Sequence, residues 1–170
     1  MTKTLYLLRH LKSSWDEPGL ADHERPLGQR GRKAGKKLAR HLRRTGVAPE
    51  VVLCSPSTRT RETLEAIRAA IGDAEVCFPP ELYAASETTL LRAVRGVAPK
   101  TGSVLVIAHN PGLEGLAIEL AGSGDVDALE RLGERFPTGA LATLAFRRSW
   151  ADVGPGSGEL VEYVVPRELG

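Results

Sequence analysis

Arg9 and His10 stand side by side directly after a short apolar run, Leu5–Leu8. Arg59 follows Ser55-Pro56, just past a second apolar run, Val51–Cys54. His109 comes directly after a third, Val104–Ala108, and opens His109-Asn110-Pro111. A neutral imidazole is a nucleophile or proton carrier near neutral pH. Guanidinium forks match phosphate oxygens two at a time. Two of each, gathered in one place, would hold and attack a phosphoryl group. Taken singly, each residue has a plainer account: a satisfied structural histidine, a solvated arginine. Their coincidence at three strand ends is what favours chemistry.

Those ends must be brought together by the elements that carry them. Apolar runs alternate with helical patterns along the chain, the signature of an α/β fold. Strands are expected at Thr4–Leu8, Val51–Cys54, Glu75–Phe78, Ser103–Ala108, Ala140–Phe146 and Leu160–Val165. Helices are expected at Gly28–Thr45, Ser57–Ile71, Ser86–Val97 (with Ser86 as its cap) and Pro111–Ala121. The alternation predicts a three-layer domain over 1–170: a mostly parallel central sheet with helices on both faces. In such a sheet the three ends share the edge where ligands bind. Ser55-Pro56 and Asn110-Pro111 each read as a helix cap followed by Pro at the first helical position. Two helix N-termini at one pocket would favour an anion, with Ser55 and Asn110 as added contacts and phosphate or sulfate as the expected occupant.

Composition excludes other classes. With 42% hydrophobic residues the chain is not disordered, and its net charge of +2 gives no general case for nucleic acid. No apolar run approaches the ~20 residues that span a bilayer, so a soluble, cytoplasmic protein without membrane attachment is expected. Cys54 and Cys77 read as two buried thiols. Eight cations between Arg30 and Arg44 are uninterrupted by any acid. They decorate an amphipathic helix, where a solvated face is the simpler account and an acidic partner surface the other. His41, on the same helix, is expected at the surface.

Rival phosphate chemistries fit poorly. The chain has no G-x-x-x-x-G-K-[ST] loop and no Cys/His cluster with metal-ligand spacing. Cys54 falls inside a predicted strand. Histidine is left as the nucleophile, with no metal and no cofactor. Its arginine neighbours should lower the His10 pKa, and His109 is expected to assist in its protonated form.

The ordered set of motifs is specific. Leu7-Leu8-Arg9-His10 resembles the Arg-His signature of the histidine phosphatase superfamily, the phosphoglycerate mutase-like enzymes. Arg9-His10-Leu11-Lys12-Ser13-Ser14-Trp15, Asp22-His23-Glu24-Arg25-Pro26-Leu27, Ser55-Pro56-Ser57-Thr58-Arg59-Thr60, Glu62-Thr63, His109-Asn110-Pro111-Gly112-Leu113-Glu114 and Pro137-Thr138-Gly139-Ala140 are similar to the short bacterial SixA-type phosphohistidine phosphatases. The similarity runs nearly end to end. It implies that His10 is phosphorylated in turnover, that Arg9, Arg59 and His109 complete the pocket, and that no metal takes part. The expected substrate is a phosphohistidine-bearing protein; the alternative is a phosphorylated small molecule. Most of the superfamily has Gly after the Arg-His pair. Leu11 stands there in this chain, which is expected to narrow the pocket mouth or shift the loop. Ester-cleaving relatives use an acid near the pocket, and Glu81 is the one candidate proton donor. The long segment from Leu11 to Pro26 is expected to border the pocket. Lys12 and Arg25 on it are candidate phosphate or substrate contacts, and Trp15 is a packing anchor.

Overall fold

The computed structural model describes residues Met1–Gly170. Seven strands form one sheet: β1 (Lys3–Arg9), β2 (Val51–Cys54), β3 (Glu75–Cys77), β4 (Ser103–Ala108), β5 (Ala121–Gly124), β6 (Leu141–Phe146) and β7 (Gly158–Val164). Their spatial order is β3-β2-β4-β1-β6-β7-β5. All pairings are parallel except those that β6 makes with β1 and β7. Five helices complete the chain: α1 (Gln29–Thr45), α2 (Thr58–Ile67), α3 (Glu87–Arg95), α4 (Gly112–Leu120) and α5 (Val126–Glu134).

Side chains alternate across a strand, and β4 shows how this makes two cores. Val104, Val106 and Ala108 join a cluster with Leu90, Leu116 and Leu132 from α3, α4 and α5. Leu105 and Ile107 join another with Leu38, Leu42, Leu64 and Ile67 from α1 and α2. The sheet is therefore covered on both faces, which is why its central strands read as continuous apolar runs.

The helix boundaries have local causes. Ser57, Ser86 and Asp125 each cap a helix by accepting a backbone N–H from three residues on. α1 ends at Gly46, whose φ of 72° is left-handed and whose N–H returns to Arg43 and Leu42. Two expected helix starts move. Ser57, not Ser55, caps α2, because the Ser55 hydroxyl is engaged elsewhere. α4 begins at Gly112, after a cis Asn110–Pro111 peptide. Asn110 Oδ1 still serves that helix, accepting from Glu114 N–H at 3.2 Å.

Three other expectations change. β5 and α5 were not anticipated. His41 is buried rather than at the surface, held by Glu162 at 3.2 Å and Arg44 at 3.1 Å. Cys54 is buried, but Cys77 lies on the short edge strand β3 and is only half-buried.

Candidate active site

The C-terminal ends of β1, β2 and β4 sit next to one another, with β4 between β2 and β1. This brings together Arg9, the last residue of β1, with His10 just after it, Ser55 after β2 and His109 after β4. Arg59 joins them from the first turn of α2. The rings of His10 and His109 lie 5.3 Å apart.

His10 is buried, and its Nδ1 lies 2.8 Å from the Leu11 carbonyl oxygen. A carbonyl only accepts, so Nδ1 carries the proton and Nε2 keeps its lone pair. The pKa of His10 is lowered to about 4, chiefly by burial and further by Arg59 and Arg9. The imidazole is thus neutral at pH 7, with one defined nitrogen able to attack.

His109 is also buried, with Nε2 2.8 Å from Ser55 Oγ and Nδ1 3.4 Å from Arg59 Nη2. Guanidinium only donates, so Nδ1 accepts and Nε2–H donates to Ser55. Burial, then His10 and Arg59, lower its pKa to about 3. The protonated form expected at the transition state is therefore not the resting form. In this pocket His109 is neutral, and the positive charge rests on the arginines.

Arg59 is held from the loop side. It donates to the Asp22 backbone oxygen at 2.7 Å and to Asp22 Oδ2 at 3.0 Å. Tyr83 donates its hydroxyl to the same Oδ2 at 2.6 Å and stands edge-on to the His109 ring. Tyr83 and Arg59 hold the Asp22 carboxyl below its ordinary pKa. Arg9 donates to the Phe136 carbonyl at 3.1 Å, and its Nε is the one buried side-chain nitrogen or oxygen with no hydrogen-bond partner.

The remaining expected residues fall in different places. Ser55 is in the cluster through His109. Asn110 spends both ends of its amide on the fold, on Phe136 O and Glu114 N–H. Arg25 is buried within the loop, under the Trp15 ring at 4.0 Å and 3.5 Å from the Glu17 carbonyl. It braces the loop and bonds to none of the four central residues. Trp15 is 65% exposed, so it covers Arg25 rather than anchoring the loop in the core. Lys12 is exposed and faces a groove beside the pocket. Glu81 is exposed in a 3-10 turn and makes no hydrogen bond or ion pair.

Leu11 departs from the first of the two effects expected of it, a narrowed pocket mouth. Its side chain is fully buried, and its N–H donates to Thr63 Oγ1 at 3.0 Å. A Cβ on Gly35 would come 3.0 Å from one Leu11 methyl, and one on Gly139 would come 3.1 Å from the other. Two glycines thus make room for Leu11 inside the fold, and it does not narrow the pocket mouth. Gly139 also fixes the backbone beside the nucleophile. At φ 78° its N–H reaches both the Arg9 and His10 carbonyls, pinning the end of β1.

Asp22, Tyr83 and the Phe136 carbonyl were not anticipated as site groups. Asp22 lay in a motif quoted for the resemblance, and no local pattern marked Tyr83. No group of three or more His, Cys, Asp or Glu residues is placed to hold a metal ion.

A neutral imidazole nucleophile among two guanidinium groups suits attack on a phosphoryl group, and the comparisons agree. The histidine phosphatase superfamily (branch 1) matches over residues 5–83. An uncharacterized protein of Mycobacterium tuberculosis is 39% identical over 163 residues, spanning 94% of this chain and 100% of that one. A structure from Nakamurella multipartitia, assigned as a phosphohistidine phosphatase SixA, superposes with a TM-score of 0.85 at 30% identity, covering 98% of this chain and 97% of that one. One from Agrobacterium tumefaciens with the same assignment gives 0.82 at 28% identity, covering 96% and 98%. The chain belongs to the histidine phosphatase superfamily. Its fold is phosphoglycerate mutase-like, and within the superfamily it resembles the SixA type.

Proposed function

We propose that this protein is a phosphohistidine phosphatase working through a covalent phospho-His10. The observation that carries the reading is the hydrogen bond from His10 Nδ1 to the Leu11 carbonyl, which leaves Nε2 free on a ring that neighbours His109 and feels the charges of Arg59 and Arg9. Nε2 attacks phosphorus in line as the bond to the substrate imidazole breaks; that ring, protonated on its other nitrogen, takes the bond pair and leaves as neutral imidazole, while His10 keeps its Nδ1 proton on the Leu11 carbonyl. Water then cleaves the phospho-His10 bond, releasing orthophosphate and restoring His10. The loose transition state carries its charge on the equatorial oxygens. Arg9 and Arg59 offset that charge, and a phosphoryl oxygen is the natural acceptor for the unpaired Arg9 Nε. Asp22 positions Arg59.

The leaving group separates this reading from a phosphoesterase. An alkoxide needs protonation by the enzyme, worth ~10²–10⁴ in rate, whereas a phosphohistidine can carry the proton on its own remote ring nitrogen and then leaves as neutral imidazole. Asp22 is the carboxylate bonded to the cluster, and its partners keep it ionised. Glu81 is exposed and unbonded. The site is thus poor in acids. No helix is long and apolar enough to cross a membrane. Both cysteines are free thiols, which suits the reducing cytoplasm to which we assign the protein.

The covalent step is tested by quenching the enzyme during turnover of a radiolabelled aryl phosphate or phosphoramidate. The label should be acid-labile and alkali-stable, and should map to His10. Label on Cys54, Ser55 or Ser57 would sink the mechanism.

A further inference from the structure

Beside the pocket lies a groove of about 570 Å³ between α1 and the segments after Phe136 and Val164. Lys12, Arg30, Lys33, Lys37 and Arg167 line it, and no carboxylate does. None of these five cations takes part in any ion pair of the molecule. They come from three separate stretches of chain, so helix periodicity alone does not account for their gathering. Unpaired like charges in a cleft repel one another and raise the local potential. From the phosphatase reading and this geometry, we propose that the groove docks an acidic surface of the phosphohistidine-bearing protein, next to the phosphorylated residue.

The groove is joined to the pocket by short covalent paths. Lys12 is two residues from His10. Thr138 lines the groove two residues after Phe136, whose carbonyl holds both Arg9 and Asn110. Gly139, the next residue, bonds the carbonyls of Arg9 and His10. A phosphohistidine seated at His10 therefore brings its neighbouring residues to the groove. The extent of the charge speaks for a protein rather than a metabolite. Lys37 also borders a second groove of about 370 Å³ with three further arginines of α1. That helix is about 25 Å long at 1.5 Å per residue, far more than a small phosphate ester covers. The same contact would explain how a pocket that recognises little beyond a phosphoryl group selects its substrate.

The test uses the whole protein and synthetic peptides of equal length around one histidine, flanked by Asp/Glu or by Ser/Gly. Fluorescence anisotropy reads binding of the unphosphorylated peptides, and hydrolysis is read after their phosphorylation with phosphoramidate. The acidic peptide should bind, and the neutral one should not. Lys33→Glu combined with Lys37→Glu should weaken the acidic peptide by about tenfold or more, as should raising the salt. kcat/KM for the phosphorylated acidic peptide should fall to the value of the neutral one. Equal binding of the two peptides, or binding untouched by charge reversal, overturns the docking surface. So does an oligonucleotide that binds the same cations more tightly than the acidic peptide. Phosphoimidazole, too small to reach the groove, reads the pocket separately. If it is not hydrolysed while the acidic peptide still binds through Lys33 and Lys37, the phosphatase reading fails and the docking surface stands.

Discussion

The tautomer of His10 rests on one carbonyl, that of Leu11, and Leu11 is itself fixed by Thr63 and by the space two glycines leave. The strand-end residues Arg9, His10 and His109 were legible in the sequence because an apolar run stops and a reactive side chain follows. Arg59 was legible from the turn that precedes its helix. What held them was not. Asp22 meets Arg59 across 37 residues, Tyr83 meets Asp22 across 61, and Phe136 meets Arg9 across 127. No local pattern encodes such pairs. His109 was expected in its protonated form to match the transition-state charge; burial keeps the ring neutral until such a charge is beside it. Glu81 gives the prediction at this scale. Its exposed carboxylate has no partner to orient it, so Glu81→Gln should leave phosphohistidine turnover within about twofold, far short of the ~10²–10⁴ of a general acid. Alkyl phosphates should be poor substrates of the parent enzyme. Fast hydrolysis of a sugar phosphate, lost in Glu81→Gln, would instead make this a phosphoesterase.

Among the elements, the strongly patterned ones were legible. The central strands and α1 have clear periods, and Ser86 capped α3 as expected. α5 carried a usable signal, since Asp125 precedes Val126, Leu129 and Leu132 at helical spacing. β5 carried none: Ala-Gly-Ser-Gly has little strand preference, and it is a strand because β7 offers an edge. The seat of α1 on the catalytic loop was invisible to sequence. A Cβ at Gly31 would lie 2.2 Å from the Lys12 carbonyl oxygen. Helix propensity alone would make Gly31→Ala stabilising by about 1 kcal/mol. The clash is with backbone, which cannot swing aside, and overpacking costs about 1–3 kcal/mol. Gly31→Ala should therefore lower the urea midpoint, and turnover with it, because the displaced residue adjoins the carbonyl that orients His10. Gly133 is the control: nothing lies within 4 Å of its would-be Cβ, so Gly133→Ala should be neutral or stabilising. A raised midpoint for Gly31→Ala would show that the loop yields.

At the scale of the whole molecule, the pocket sets a cost in acid. His10 and His109 are buried neutral, with pKa values near 4 and 3, while in the unfolded chain both titrate near ~6.5. Between those values the unfolded chain binds more protons, so stability rises with pH there and is lost as pH falls below about 6.5. The Asp22 carboxyl, also lowered, adds its loss only further into acid, below its ordinary value. The neutral-to-mild-acid window therefore belongs to the two histidines. Each contributes up to about 1.4 kcal/mol per pH unit, so the pair should remove on the order of 2 kcal/mol between pH 6 and pH 5. Urea melts across that range should show the loss in the parent protein. A variant with His10→Gln and His109→Gln should have a flatter profile and overtake its parent on acidification if the two start close in stability. Parallel profiles would mean that the two histidines titrate in the folded protein as they do in the unfolded chain, and their lowered pKa values would have to be given up.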